Sequence, residues 1–146
     1  MFKQLVKAWV ASMRGVSNES NENGMSKHLA KLYRQTRTAI SKTLPDDWQT
    51  AWVLVEMEEG TGSLICYYRS EDGSIKPLMS GVSLDAYSAF RRVRHEMSQA
   101  STTPQWSSAT YILQRNGAFS IEYGYEPVPI EDEEERRQAW KQKYGL

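Results

Sequence analysis

The residues able to do chemistry in this chain of 146 residues are few and scattered. His28 and His95 lie on different predicted helices, and Cys66 lies in a strand-like run. No carboxylate stands at a metal-binding interval from either imidazole. Catalytic groups must converge in space, and their spacing often leaves a trace; none is found. Gly60-Thr61-Gly62 is too short to cradle a phosphate and reads as a turn, and no G-x-S-x-G nucleophile elbow occurs. Both histidines therefore read as solvated helix residues, and Cys66 as a buried thiol. The expectation is a protein that works without catalysis, cofactor or metal. One cationic cluster, Arg91, Arg92 and Arg94 beside His95, has the chemistry to contact phosphates, and nucleic-acid-binding regulation through these arginines is the alternative function. A solvated helix face is the simpler reading, because no basic excess or aromatic platform accompanies the cluster. Direct nucleic-acid binding is accordingly not expected.

Composition sets the frame for these residues. Lys plus Arg equals Asp plus Glu at 18 each, so no global field draws the chain toward nucleic acid or an anionic membrane. The charge is uneven, however: residues 1–48 carry eight basic and four acidic groups, and residues 106–146 five basic and seven acidic. A single cysteine permits no internal disulfide, which fits a reducing cytoplasm. An apolar N-terminal run broken by Lys7 does not read as a secretory signal, and no stretch approaches the roughly 18 apolar residues of a membrane span.

Hydrophobic spacing then predicts the elements. Phe2, Leu5, Val6, Trp9, Val10 and Met13 recur at helical intervals, so residues 2–13 are predicted to form an amphipathic helix, a candidate surface for homodimerisation. Residues 15–24 read as a polar linker, leaving 1–24 as an appendage and 25–146 as one domain, with Met25 a candidate natural start. A helix from Ser26 turns Leu29, Leu32, Tyr33, Thr36 and Ile40 inward, and Pro45-Asp46-Asp47-Trp48 turns the chain so that Trp48 enters the core. Strands follow over 50–58 and 63–70. Asp72-Gly73 then predicts a hairpin into a strand that Pro77 confines to an edge or a bulge. Residues 83–97 form the next helix, with Ser83 as N-cap and Ala86, Phe90, Val93 and Met97 buried. Strands resume at Trp106 around Asn116-Gly117, and a helix over 131–144, acidic first and basic last, closes the chain. There Trp140 and Tyr144 pack inward, with Ile130 as a staple. The fold class is α+β: an antiparallel sheet of about five strands in two hairpins, packed by helices, in the order α-α-β-β-β-α-β-β-α.

Two-residue hairpin loops fix the expected faces. In the first hairpin Glu71 opposes Ser74, and Leu64, Cys66, Tyr68, Ile75, Pro77 and Met79 share a face. In the second, Arg115 opposes Ala118. Trp106, Thr110, Ile112, Phe119, Ile121, Tyr123 and Tyr125 then face the core, leaving Ala109, Tyr111, Leu113, Arg115, Ser120, Glu122, Gly124 and Glu126 on the other side for a helix or a partner. Glu56, Glu58, Tyr111, Glu122, Glu126, Glu131 and Asp132 gather on or beside that side and are the candidate partner-binding residues.

The order of these pieces resembles a known family. A helix, the L-P-x-x-W turn at Leu44 to Trp48, Cys66-Tyr67-Tyr68-Arg69 before a D-G turn, a helix, WSSATYILQRNGAFSIEYGYE over 106–126 and a closing RQAWKQKYG are similar to the YezG-like immunity proteins. The resemblance spans Ser26 to Leu146. It implies an α+β fold and a cytoplasmic antitoxin that binds the C-terminal domain of a secreted or contact-delivered toxin, often a nuclease. It brings no catalytic residues.

Overall fold

The computed structural model describes residues 5–10, 27–58, 61–79, 84–100 and 104–146. Its elements are β1 (Leu5–Val10), α1 (Lys27–Ser41), β2 (Trp48–Glu58), β3 (Thr61–Ser70), β4 (Ile75–Pro77), α2 (Leu84–Ala100), β5 (Ser108–Gln114), β6 (Phe119–Gly124) and α3 (Glu133–Tyr144), the last preceded by a 3-10 turn at Ile130–Asp132. The strands form one antiparallel sheet in the order β1-β6-β5-β2-β3-β4. From α1 onward, the element types follow the predicted order.

Helices cover both faces of the sheet, which explains the burial pattern of its centre. β2 is buried along nearly its whole length, as a strand roofed on two sides must be. Ala51, Val53 and Val55 join the larger core beneath α1 and α2, while Trp52 and Leu54 join Trp140 of α3 on the reverse. The inward stripe of α1 holds, with Leu32, Tyr33, Thr36 and Ile40 buried and Leu29 packed partly against them. In α2, Ala86, Phe90 and Val93 are buried and Met97 packs beside them. Trp48 enters the core as expected. Pro77 does lie on an edge strand, where its missing N–H breaks no ladder.

Both hairpins correct the expected register, and for the same reason. Gln114 N–H donates to Ala118 O at 2.8 Å and Ser70 N–H donates to Ser74 O at 2.9 Å, so each loop has three residues. Among the described residues only glycines take positive φ, with Gly73 at 86° and Gly117 at 96°. A two-residue type I′ turn would need positive φ at Asn116 or Asp72 as well; a three-residue loop with one left-handed glycine spares them. The side chains reinforce the wider loop. Asn116 Oδ1 accepts the Ala118 N–H at 2.9 Å, and Asp72 Oδ1 accepts the Ser74 N–H at 2.8 Å. Arg115, inside its loop, donates its N–H to Gln49 O at 2.9 Å and its Nη1 to Asp46 O at 2.8 Å.

A shift of one residue turns a strand over. Leu113 faces Phe119, Tyr111 faces Ile121 and Ala109 faces Tyr123, all on the side of α1 and α2. Thr110, Ile112, Ser120 and Glu122 turn toward α3 instead. In the first hairpin Ile75 and Pro77 lie opposite Arg69 and Tyr67, not beside Cys66 and Tyr68.

The first predicted helix is corrected too. Leu5–Val10 is a strand, running from Leu5 opposite Gly124 to Val10 opposite Phe119. A six-residue segment rich in Val and Trp suits a pleat, and it satisfies the backbone groups that β6 would otherwise leave at an edge. The expected helical surface for homodimerisation is thus absent over these residues. The linker at 15–24, Met25, Ser83 and the tip of the Glu59–Gly62 turn at residues 59–60 lie outside the described residues. Ile130 is 78% exposed, so the expected staple does not form.

Candidate partner-binding site

The site is built where α3 crosses the reverse face of the sheet. Trp140, four residues before Tyr144, sits on that face with its Nε1 donating to Thr110 Oγ1 at 3.0 Å, and Tyr67 lies against it with ring centroids 6.2 Å apart. Beside this anchor Arg136 projects back over β2. Its Nε donates to Glu56 Oε2 at 2.8 Å and its Nη2 to Glu56 Oε1 at 3.0 Å, while Nη1 donates to Pro129 O at 2.6 Å. The fork geometry of guanidinium suits this bidentate grip, and hydrogen bonding to Glu56, outweighing desolvation, pushes the Arg136 pKa up. Two turns after Arg136, Tyr144 donates its hydroxyl to Glu122 Oε1 at 2.6 Å, with Lys143 Nζ 3.4 Å from Oε2. Burial, then the Glu122 carboxylate, pushes the Tyr144 pKa up, so the phenol stays a donor.

Between α3 and the strands remains a groove of ≈ 240 Å³ whose lining includes Glu56, Glu122 and Glu126 together with Arg136 and Lys143. Three of the seven predicted residues therefore converge on one groove. Their states differ: Glu56 is 5% exposed and committed to Arg136, Glu122 is held by Tyr144 and Lys143, and Glu126 is half-buried, with its carbonyl accepting the Ser107 hydroxyl. Glu58 closes the same end of the sheet, its Oε1 accepting the Val128 N–H at 2.6 Å. Glu131 and Asp132 are exposed on the neighbouring 3-10 turn.

Tyr111 does not belong to this group. It points to the opposite face at 0% exposure, stacked on Phe119 at 5.1 Å and edge-on to Phe90 at 5.7 Å. Its hydroxyl has no hydrogen-bond partner among the described residues. The register slip placed it on the wrong side, and a side chain so enclosed offers no surface to a partner. Conversely, Arg136 and Trp140 shape the groove although neither was a candidate. The i, i+4 spacing of Arg136, Trp140 and Tyr144 on one helix face was the available signal.

Elsewhere the described residues hold no grouping of His, Cys, Asp or Glu that could bind a metal, and no helix long and apolar enough to cross a membrane. His28 lies 3.6 Å from Glu96 at the surface, and His95 is exposed. Burial pushes the Cys66 thiol up to about 12, which disfavours the reactive thiolate. Of the three clustered arginines, Arg94 is taken up internally, donating Nε to Trp106 O at 2.6 Å with its guanidinium 5.9 Å from the Trp106 ring centre; Arg91 and Arg92 remain exposed.

A relative described as Immunity protein YezG, from Bacillus spizizenii, is 26% identical over 115 residues, an alignment covering 68% of this chain and 70% of the relative. The family described as Immunity protein YezG-like matches residues 29–145, from the first turn of α1 to the glycine that ends α3. With nearly all of α1, all of α2 and α3, and five of the six described strands inside that match, the chain belongs to the YezG-like family of immunity proteins.

Proposed function

We propose that this immunity protein neutralises a cognate secreted or contact-delivered toxin by tight association with the toxin's C-terminal domain, a nuclease, in the cytoplasm and without catalysis of its own. The observation that carries the reading is the acidic end of the sheet. Antiparallel register brings Glu58 at the close of β2, Glu126 after β6, and Glu131 and Asp132 before α3 to one end of the molecule. Glu134 and Glu135 are exposed just beyond them. A nuclease must display cations for its substrate, and carboxylates on a stiff frame match such a surface, speeding encounter and selecting the partner. Frame and contact surface divide the carboxylates: Glu56 and Glu122 hold α3 to the sheet, whereas Glu126, Glu131 and Asp132 are the ones offered outward.

The test is binding of the toxin domain encoded beside this gene. Reversal of Glu126, Glu131 and Asp132 to Lys is expected to slow association about tenfold at low ionic strength, while circular dichroism shows an intact fold. An unchanged association rate would remove this end of the sheet from the interface.

A further inference from the structure

We propose that the outer groove between α1 and α2 binds the phosphate backbone of a nucleic acid, a site distinct from the acidic end assigned to the toxin. The two helices hold seven Lys and Arg against two carboxylates, Asp85 and Glu96, a surplus of five positive charges in a chain whose formal charge is zero. The neutral total conceals this layer, because its cations lie on two helices far apart in sequence that only the fold sets side by side.

The apolar stripe of α1 faces the sheet, which leaves its polar flank against α2. There Lys31, Arg34, Thr38 and Lys42 meet Arg92 and Asp85 around a cleft of ≈ 430 Å³. Among the described residues no ion pair engages Lys31, Arg34, Lys42 or Arg92; the pairs formed are His28 with Glu96, Arg136 with Glu56, Arg137 with Glu133 and Lys143 with Glu122. Lys31 to Lys42 spans roughly 16 Å at helical rise, enough to follow about five nucleotides of one strand at roughly 3.4 Å each.

The lining decides the class of ligand. It contains no aromatic residue, and its only apolar members are Ala39 and Ala89, both buried. A protein partner would find no anchor there, since protein interfaces draw most of their energy from aromatic and other large side chains seated in pockets. Phosphates require none: nucleic-acid interfaces are polar and strongly positive. Without a stacking platform the contact is to backbone rather than bases, so it is independent of sequence and steeply dependent on salt.

Fluorescence anisotropy of the full chain with a labelled DNA duplex of about 20 base pairs tests this, with labelled poly-glutamate as the competing polyanion. Expected is saturable duplex binding at about 50 mM salt that weakens about a hundredfold by about 200 mM if four cations contact phosphates. Lys31→Glu with Arg34→Glu and Arg92→Glu should lower affinity at least about tenfold, while Lys141→Glu on the far side leaves it unchanged. If that triple variant does not fold, Lys31→Gln with Arg34→Gln gives the same reading more gently. No binding at low salt, an unaffected charge-reversed variant, or poly-glutamate bound as tightly as DNA would each overturn the proposal. Toxin neutralisation should survive the same substitutions, so loss of one property leaves the other intact.

Discussion

Replacing Arg136 with Met should be among the most destabilising single changes on the reverse face. The side chain of Glu56 is 7% exposed and that of Arg136 23%, so removing the guanidinium strands a carboxylate that water scarcely reaches. Breaking a buried pair in this way costs about 3–5 kcal/mol. Because Arg136 is partly open to solvent, the lower end of that range applies, about 3 kcal/mol. The Pro129 carbonyl loses its partner in the same change. Against a typical total of about 5–15 kcal/mol this is a large fraction, and at about 2–4 °C per kcal/mol the melting temperature should fall by about 10 °C. Urea unfolding followed by the fluorescence of the five tryptophans measures it directly. The double variant Glu56→Met with Arg136→Met supplies the control: apolar groups of similar volume restore packing with no stranded charge, and stability should return to within about 1 kcal/mol of the parent. A loss under about 1 kcal/mol for Arg136→Met, or a double variant no better than the single, would refute the view that Glu56 is a structural anchor.

Three further predictions follow from particular contacts. Gly62→Ala places a Cβ into the Tyr87 phenol, so the Tyr87 ring must move aside at a cost of about 1–3 kcal/mol; adding Tyr87→Ala should recover part of that loss in the same unfolding assay. Gly73→Ala meets no atom within 4 Å but sits at φ +86°, so backbone strain alone should lower stability by about 1 kcal/mol, and a neutral effect would contradict the left-handed turn. For Cys66 the folded thiol is raised by burial to about 12 from 9.0. Its contribution is fully present below pH 9 and declines as pH rises from there toward 12, because the unfolded chain releases the proton first. Stability should fall above pH 9 and fall less steeply in Cys66→Ala, and a thiol reagent should label the native protein only as fast as it opens.

Much of the fold was legible because its signals are local. Apolar spacing located α1, α2 and α3, and Pro77 marked the edge strand, since a missing N–H has one kind of place in a sheet. The hairpins are legible in the sequence, but their register differs from the two-residue expectation by one residue. Asn116-Gly117 and Asp72-Gly73 suit two-residue and three-residue loops alike; the wider loop spares Asn116 and Asp72 a positive φ, and in the second hairpin Arg115 bonding to Asp46 and Gln49 adds a long-range hold. That single residue moved Tyr111 from the expected surface into the core and turned Glu122 toward α3. Leu5–Val10 is a strand where apolar spacing predicts a helix. Short apolar runs fit helix and strand equally, and the unpaired edge of β6 decided between them.

Sequence alone determined that this is an α+β domain, because propensity and turn chemistry act over a few residues. Tertiary structure alone decided what its charges do. Glu56 and Glu122 became fasteners because α3 packs over them, Glu58 reached the segment after β6 because β2 and β6 end on the same side of the sheet, and Lys31, Arg34 and Arg92 came to line one cleft because α1 and α2 pack side by side. A charge takes its role from distance and burial, and neither is written in the order of residues.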